Sequence, residues 1–166
     1  MLPLPDRTIL VSSKNLNMVF IIDPTTDEVV WECRNDEMGG QHDAQLLDNG
    51  NNLVFANGAY SRDLHHSEVW EINPATNEIE WRYSARDNMT SFFLPHMGGA
   101  QRLPGGNTLI CEGNKDCIFE VTPGDDVVRE FISPHFVQSE QFGRHNWLFC
   151  ARWCAPDSPE IRAILG

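Results

Sequence analysis

The sequence is short of positive charge. Its 12 Lys and Arg face 24 Asp and Glu, a formal net charge of −12 at pH 7, and a chain of that sign repels phosphate backbones, which excludes nucleic acid as a partner. No apolar run approaches the roughly 20 residues of a membrane-spanning helix, so no membrane partner of that kind is expected. The opening MLPLPDRTIL breaks any apolar stretch with prolines and has no basic start, so a secretory signal is not encoded in it and the compartment is left open. The five cysteines, Cys33, Cys111, Cys117, Cys150 and Cys154, contain no C-x-x-C pair. That excludes a paired-cysteine zinc site. Cys111 and Cys117 could meet across a hairpin and Cys150 lies four residues before Cys154, but the set is read as reduced structural thiols. The turns DNGN and PGGNT have no helix start after them and cannot cradle a phosphate.

What the chain does have is repetition. With 166 residues and 41% apolar content it can bury one core, so a single domain over 1–166 is expected. GGQHDAQLLDNGNNLVFANG at 39–58 returns in looser form as HMGGAQRLPGGNTLICEG at 96–113. VFIIDPTTDEVVWEC, VWEINPATNEIEWRY and IFEVTPGDDVVREF share a second pattern; Pro24 and Pro74 lie 50 residues apart and Pro123 follows 49 later. A period near 50 filled with strand-type sequence is the length of one propeller blade. In each copy Phe20/Ile22, Trp70/Ile72 and Phe119/Val121 alternate with period two, placing one strand face in a core. Pro-containing turns lead to a further strand where Trp31, Trp81 and Arg129 occupy matching places. The first quoted pattern supplies the other two strands as a hairpin.

The expected fold is therefore all-β, half of a six-bladed β-propeller with about three four-stranded antiparallel blades at 4–34, 44–84 and 100–133. The first blade lacks an inner strand. NWLFCARWC at 146–154 reads as a strand able to supply one, within a closing strand and tail at 144–166, the alternative being a terminal element packed over the outside. Three wedge-shaped blades cannot complete a ring. Two copies on a two-fold axis would make six and bury both open faces, so a homodimer is expected, or a piece of a longer six-bladed chain.

HDAQLLDNGNNLVFANG, PHMGGAQRLPGGNTLICEG, CIFEVTPGDDVVREF and NWLFCARWCAPDSP together resemble the C-terminal blades of the arylsulfotransferase-like propellers, a group related to quinoprotein-type propellers. The resemblance implies transfer of a sulfuryl group from one phenolic sulfate ester to another phenol through a transiently sulfated histidine, with no nucleotide sulfate donor; no cofactor is expected, and no residue cluster is read as a metal site. It also implies a small phenolic or sulfated ligand in a central funnel and, for characterised members, export. His42, in HDA at the start of an inner strand, is the best match to such a histidine.

Sulfuryl transfer needs a nucleophile with a lone pair, donors for the sulfonate oxygens and an acid or base for the phenolic oxygen. His42, His96 and His145 are the catalytic candidates, since imidazole serves as nucleophile or proton carrier near neutral pH. Asp43, Arg102 and Arg144 are the substrate-binding candidates, with structural roles for each as the alternative. Asp63, His65, His66 and Glu68 in SRDLHHSE are read as a solvated hairpin loop. Two classes of function stay open: a small-molecule transferase or hydrolase, and a non-catalytic propeller used as a binding or assembly scaffold.

Overall fold

The computed structural model describes residues 1–60, 65–85 and 92–165. Three four-stranded antiparallel sheets follow one another along the chain. The first contains β1 (Leu2–Pro3), β2 (Ile9–Ser13), β3 (Met18–Asp23) and β4 (Glu28–Arg34) in that spatial order. The second contains β5 (His42–Leu46), β6 (Asn52–Ala56), β7 (Glu68–Ile72) and β8 (Ile79–Tyr83), and the third β9 (Gly99–Arg102), β10 (Thr108–Glu112), β11 (Cys117–Val121) and β12 (Val127–Ile132). A hairpin of β13 (Val137–Ser139) and β14 (Gly143–His145) and a short helix α1 (Pro159–Leu165) complete the described elements. Each strand pairs with its sequence neighbour, the up-and-down order of a propeller blade.

The repeat is reproduced in backbone detail. The register between the third and fourth strands shifts once in every blade, at Ile21/Ile22, Glu71/Ile72 and Glu120/Val121. The Pro-containing turns carry Asp27, Asn77 and Asp125 at φ 59, 59 and 67°, where Asn and Asp tolerate a left-handed backbone. The matching tryptophans also gain a reason. The Trp31 indole N–H donates to Asn77 Oδ1 at 3.0 Å, and that of Trp81 to the Pro123 carbonyl at 3.1 Å. Each blade thus reaches forward to the turn of the next.

Two cores lie between consecutive blades. Leu10, Val19 and Cys33 of the first meet Val54, Trp70 and Ile72 of the second. Leu53, Phe55, Val69 and Tyr83 meet Ile110, Phe119 and Val121, with Phe92 and Leu94 from the connecting segment. All five residues of β7 are buried, as a strand between two packed faces requires.

Two expectations are corrected. The first blade does have an inner strand, the two-residue β1, whose Leu2 and Pro3 pair with Leu10 and Ile9. Residues 146–154 form no strand. They lie against the third blade through Leu148 N–H to the Gly113 carbonyl (2.9 Å), Trp153 N–H to Gln101 Oε1 (2.8 Å) and Gln101 Nε2 to the Trp153 carbonyl (3.2 Å). With only side-chain bonds and one backbone bond to hold them, they follow an inner strand's course without strand pairing.

Candidate functional site

The turns at the start of the inner strands build one rim. His42 opens β5, His96 lies three residues before β9, and Lys14 sits in the 3₁₀ turn Lys14–Leu16 between β2 and β3. Close approach explains the glycine pairs beside both histidines. A Cβ at Gly40, whose φ is +90°, would stand 2.9 Å from the Tyr60 ring and 3.3 Å from the Lys14 side chain; one at Gly99 would stand 2.4 Å from Asp43 Oδ2. Only glycine leaves room for these neighbours.

A buried amide joins the two histidine segments. Asn57, at the end of β6, is fully buried. Its Oδ1 lies 2.6 Å from His42 Nδ1, and its Nδ2 donates to the carbonyls of Leu94 and Met97, both at 2.8 Å. His42 is half-buried and His96 exposed. Lys14 Nζ lies 3.4 Å from His96 Nδ1 and 5.9 Å from the centre of the Tyr60 ring. The rim therefore presents two imidazoles, an ammonium and a phenol side by side. A cation and ring N–H groups can hold a sulfonate, and an imidazole nitrogen can attack one.

Asp43 is committed elsewhere. It sits at φ 58° in the irregularity between His42 and Gln45, accepts Ala100 N–H (3.1 Å) and Gln45 Nε2–H (3.3 Å) on Oδ2, and pairs with Arg152 through Oδ1. Its carboxylate ties the second blade to the third and to the tail.

The other anticipated residues lie apart from this rim. Arg102 ends β9 at the opposite, hairpin-turn end of the blade, 2.5 Å from Glu71 Oε2 and stacked 4.6 Å over Trp81. It borders a groove of about 660 Å³ with Glu71, Gln45, Gln101 and Trp153. Burial pushes the Glu71 carboxyl up, but hydrogen bonds from Asn51 and Asn49 and the Arg102 charge outweigh it and hold the group below its ordinary value. Arg144 and His145 belong to the β13–β14 hairpin beyond the third blade. The Arg144 guanidinium lies 4.1 Å over Phe136, and the His145 ring packs 4.7 Å from Trp147 with Nδ1 3.1 Å from the Gly143 carbonyl. Of the SRDLHHSE group, Asp63 lies outside the described residues. His66 is 3.2 Å from Glu68, which is buried and accepts the Trp70 indole N–H at 2.6 Å. Among the described residues no group of three or more His, Cys, Asp or Glu could hold a metal ion, and all five cysteines are free.

Sequence reasoning missed Asn57 and Lys14. For Asn57 a signal existed: an amide closing the apolar strand LVFA is a polar group in a core position, and such a group must have partners. Lys14 carried none, because its proximity to His96 depends on how two blades pack.

The comparisons agree with the fold. The chain is similar to the crystal structure of the WD40 β-propeller domain of Doa1, with TM-score 0.55 and 12% identity over 76% of this chain and 37% of that one. It is also similar to virginiamycin B lyase from Staphylococcus aureus, with TM-score 0.50 and 15% identity over 86% of this chain and 50% of that one. These likenesses show the propeller fold alone, and the chain spans half or less of the length of either protein. No curated protein matches the sequence. Residues 4–133, most of the chain and every blade strand but β1, match the sequence profile described as arylsulfotransferase (ASST), and the chain belongs to that family.

Proposed function

We propose that the rim is a sulfuryl-transfer site for phenolic sulfates, with His42 as the nucleophile and His96 and Lys14 as the groups that meet the developing charge. The observation that carries this reading is the convergence of His42, His96 and Lys14 at one end of the three blades, His42 and the His96 segment being joined through Asn57. In the first half-reaction His42 Nε2 bonds to sulfur as the sulfur to aryl-oxygen bond breaks. The departing phenolate is hydrogen-bonded by the His96 ring and takes a proton from water. In the second, the oxygen of an acceptor phenol bonds to sulfur, the N–S bond breaks with its electron pair returning to Nε2, and the phenolic proton passes to water. The net change is exchange of a sulfuryl group between two phenols, with no oxidant, metal or nucleotide consumed. In this reading Asp43 holds the inner strands together, Arg102 is occupied by Glu71, and Arg144 and His145 serve the outer hairpin.

The test is phenol release from an aryl sulfate in the presence of a second phenol, comparing the native protein with His42→Ala and His96→Ala. His42→Ala should lower turnover by orders of magnitude without loss of fold, as removal of a nucleophile does. No turnover by the native protein at high concentration overturns the transfer reading and leaves the non-catalytic scaffold.

A further inference from the structure

We propose that Asn57 and Lys14 are positioning residues that hold His42 and His96 in opposite tautomers, so that one ring offers a lone pair and the other an N–H at the same rim. The chemical use of this pairing rests on the sulfuryl-transfer reading; the tautomers themselves follow from hydrogen bonding.

A neutral imidazole has one N–H, and its partner decides which nitrogen carries it. The Asn57 side chain faces the Leu94 and Met97 carbonyl oxygens, each 2.8 Å away. Carbonyls only accept, so the NH₂ must face them; the flipped amide would set Oδ1 against two oxygens. Oδ1 is thereby turned to His42, and because it too only accepts, the contact at 2.6 Å requires the proton on Nδ1. His42 Nε2 is left with its lone pair.

The amide cannot turn away. Ser67 Oγ donates to the Asn57 carbonyl at 2.9 Å and accepts Leu94 N–H at 2.8 Å, so one hydroxyl pins Asn57 and the segment that its NH₂ grips. Asn57 and Ser67 are both fully buried, where no water competes for these bonds. At His96 the logic reverses. A lysine ammonium only donates, so Nδ1, 3.4 Å from Lys14 Nζ, must accept and the proton must sit on Nε2.

The pairing suits the two roles. When His42 Nε2 bonds to sulfur, the ring gains positive charge and the Nδ1–H bond to Asn57 becomes charge-assisted and stronger. The opposite tautomer would aim the lone pair at Asn57 and present a proton to the substrate. At His96 the ammonium on Nδ1 polarises the ring and makes the Nε2–H a better donor to the phenolic oxygen.

The experiment is nitrogen-15 NMR of the histidine rings in the native protein at about pH 8, where imidazoles are mostly neutral. His42→Gln and His96→Gln assign the signals by their loss. The expected result is Nδ1–H at His42 and Nε2–H at His96. Nε2–H at His42 would overturn the role of Asn57, and Nδ1–H at His96 that of Lys14. In Asn57→Ala the His42 ring should become a mixture, with kcat lowered about 10- to 100-fold and KM changed little. A shifted tautomer with unchanged kcat would overturn the positioning role. Since Asn57→Ala removes three hydrogen bonds of a buried side chain and can unfold the protein, Lys14→Met is the second variant. It should alter the His96 tautomer and leave that of His42 in place; no change at His96 counts against the proposal. The native tautomers are read without any assay, so expected tautomers with no turnover would refute sulfuryl transfer and leave this assignment standing.

Discussion

Asp43 and Arg152, 109 residues apart in sequence, form an ion pair across the inner strand of the third blade. Asp43 also accepts Ala100 N–H, and Arg152 Nη1 donates to the Ala100 carbonyl at 3.4 Å, so one residue of β9 is gripped on both of its backbone groups. Arg152→Ala should cost about 1 kcal/mol or less, because the pair is partly exposed. The loss should appear as faster proteolysis and amide exchange around 146–154, with the blades unaffected. Asp43→Asn should be mild, since Asn accepts hydrogen bonds and tolerates φ 58°. Asp43→Ala should cost about 2 kcal/mol, from a lost part-buried acceptor and an alanine in the left-handed region. Equal midpoints for Asp43→Ala and Asp43→Asn would refute this account.

Trp70 tests the blade-to-blade core. It is 1% exposed on β7, packs with Leu10, Val19 and Val54 between the first two blades, and donates its indole N–H to Glu68. Trp70→Ala should destabilise by roughly 3 to 5 kcal/mol, as large-to-small core changes do. Trp70→Phe should cost less, since an aromatic ring still fills the core and Glu68, on losing the indole N–H, keeps His66 at 3.2 Å and Arg82 at 3.5 Å. Denaturant midpoints decide between a core residue and a peripheral one.

The fold was legible because every blade repeats the same local solution. Pro24, Pro74 and Pro123 mark turns, the period-two alternation of Trp70 and Ile72 marks a buried face, and DNGN and PGGN mark hairpins. Local signals of that kind survive without knowledge of packing. The site was legible in part. His42 and His96 stand at the rim because they precede inner strands, a position that sequence order alone provides. Arg102 lies only a few residues beyond His96, yet a strand carries it to the opposite end of the blade, at about 3.3 Å per residue. Lys14 and Asn57 joined the histidines through contacts between blades and across a loop, which no spacing encodes. The tail misled because an apolar, β-prone composition makes a strand only where a partner edge is free to pair with it.

The cysteines yield a pH-linked prediction. Burial pushes the Cys111 thiol up to about 12, with the neighbouring Cys150 and Asp43 adding to it, and burial and Glu130 push Cys117 to about 11. Burial also raises Cys33. The thiolate is the reactive form, so at pH 8 a thiol with a pKa near 12 has on the order of one molecule in ten thousand ionised. Cys150 and Cys154 are exposed. A thiol-specific reagent should label two cysteines quickly in the native protein and all five after denaturation. Mass spectrometry of the labelled peptides gives the answer, and rapid native labelling of Cys111 would contradict its burial.

The last prediction concerns the open ends of the blade stack. Val127, Val128, Phe131 and Ile132 on β12 and Val29 and Val30 on β4 are all at least half exposed. Trp31 and Trp81 each reach the turn of the following blade, whereas Arg129, at the matching place in the third blade, is 80% exposed at its side chain and turns back to Glu120 of its own blade. The tail continues the series. Gln45 donates to the Ala100 carbonyl of the next inner strand, and Gln101 donates in the same forward sense to Trp153, so 146–154 lies along the inner edge of the third blade. Propeller rings close with four to eight blades, and we propose a second copy of this chain as the occupant that closes this one, giving six. The expected result is twice the chain mass of 18.8 kDa by sedimentation, with a melting temperature that rises with protein concentration, because dissociation exposes core. Phe131→Asp with Val128→Asp should return the monomer mass and lower that melting temperature. A chain that sediments as a monomer at micromolar concentration, with a concentration-independent melting temperature, would overturn completion by a second copy and leave the missing blades to a longer polypeptide.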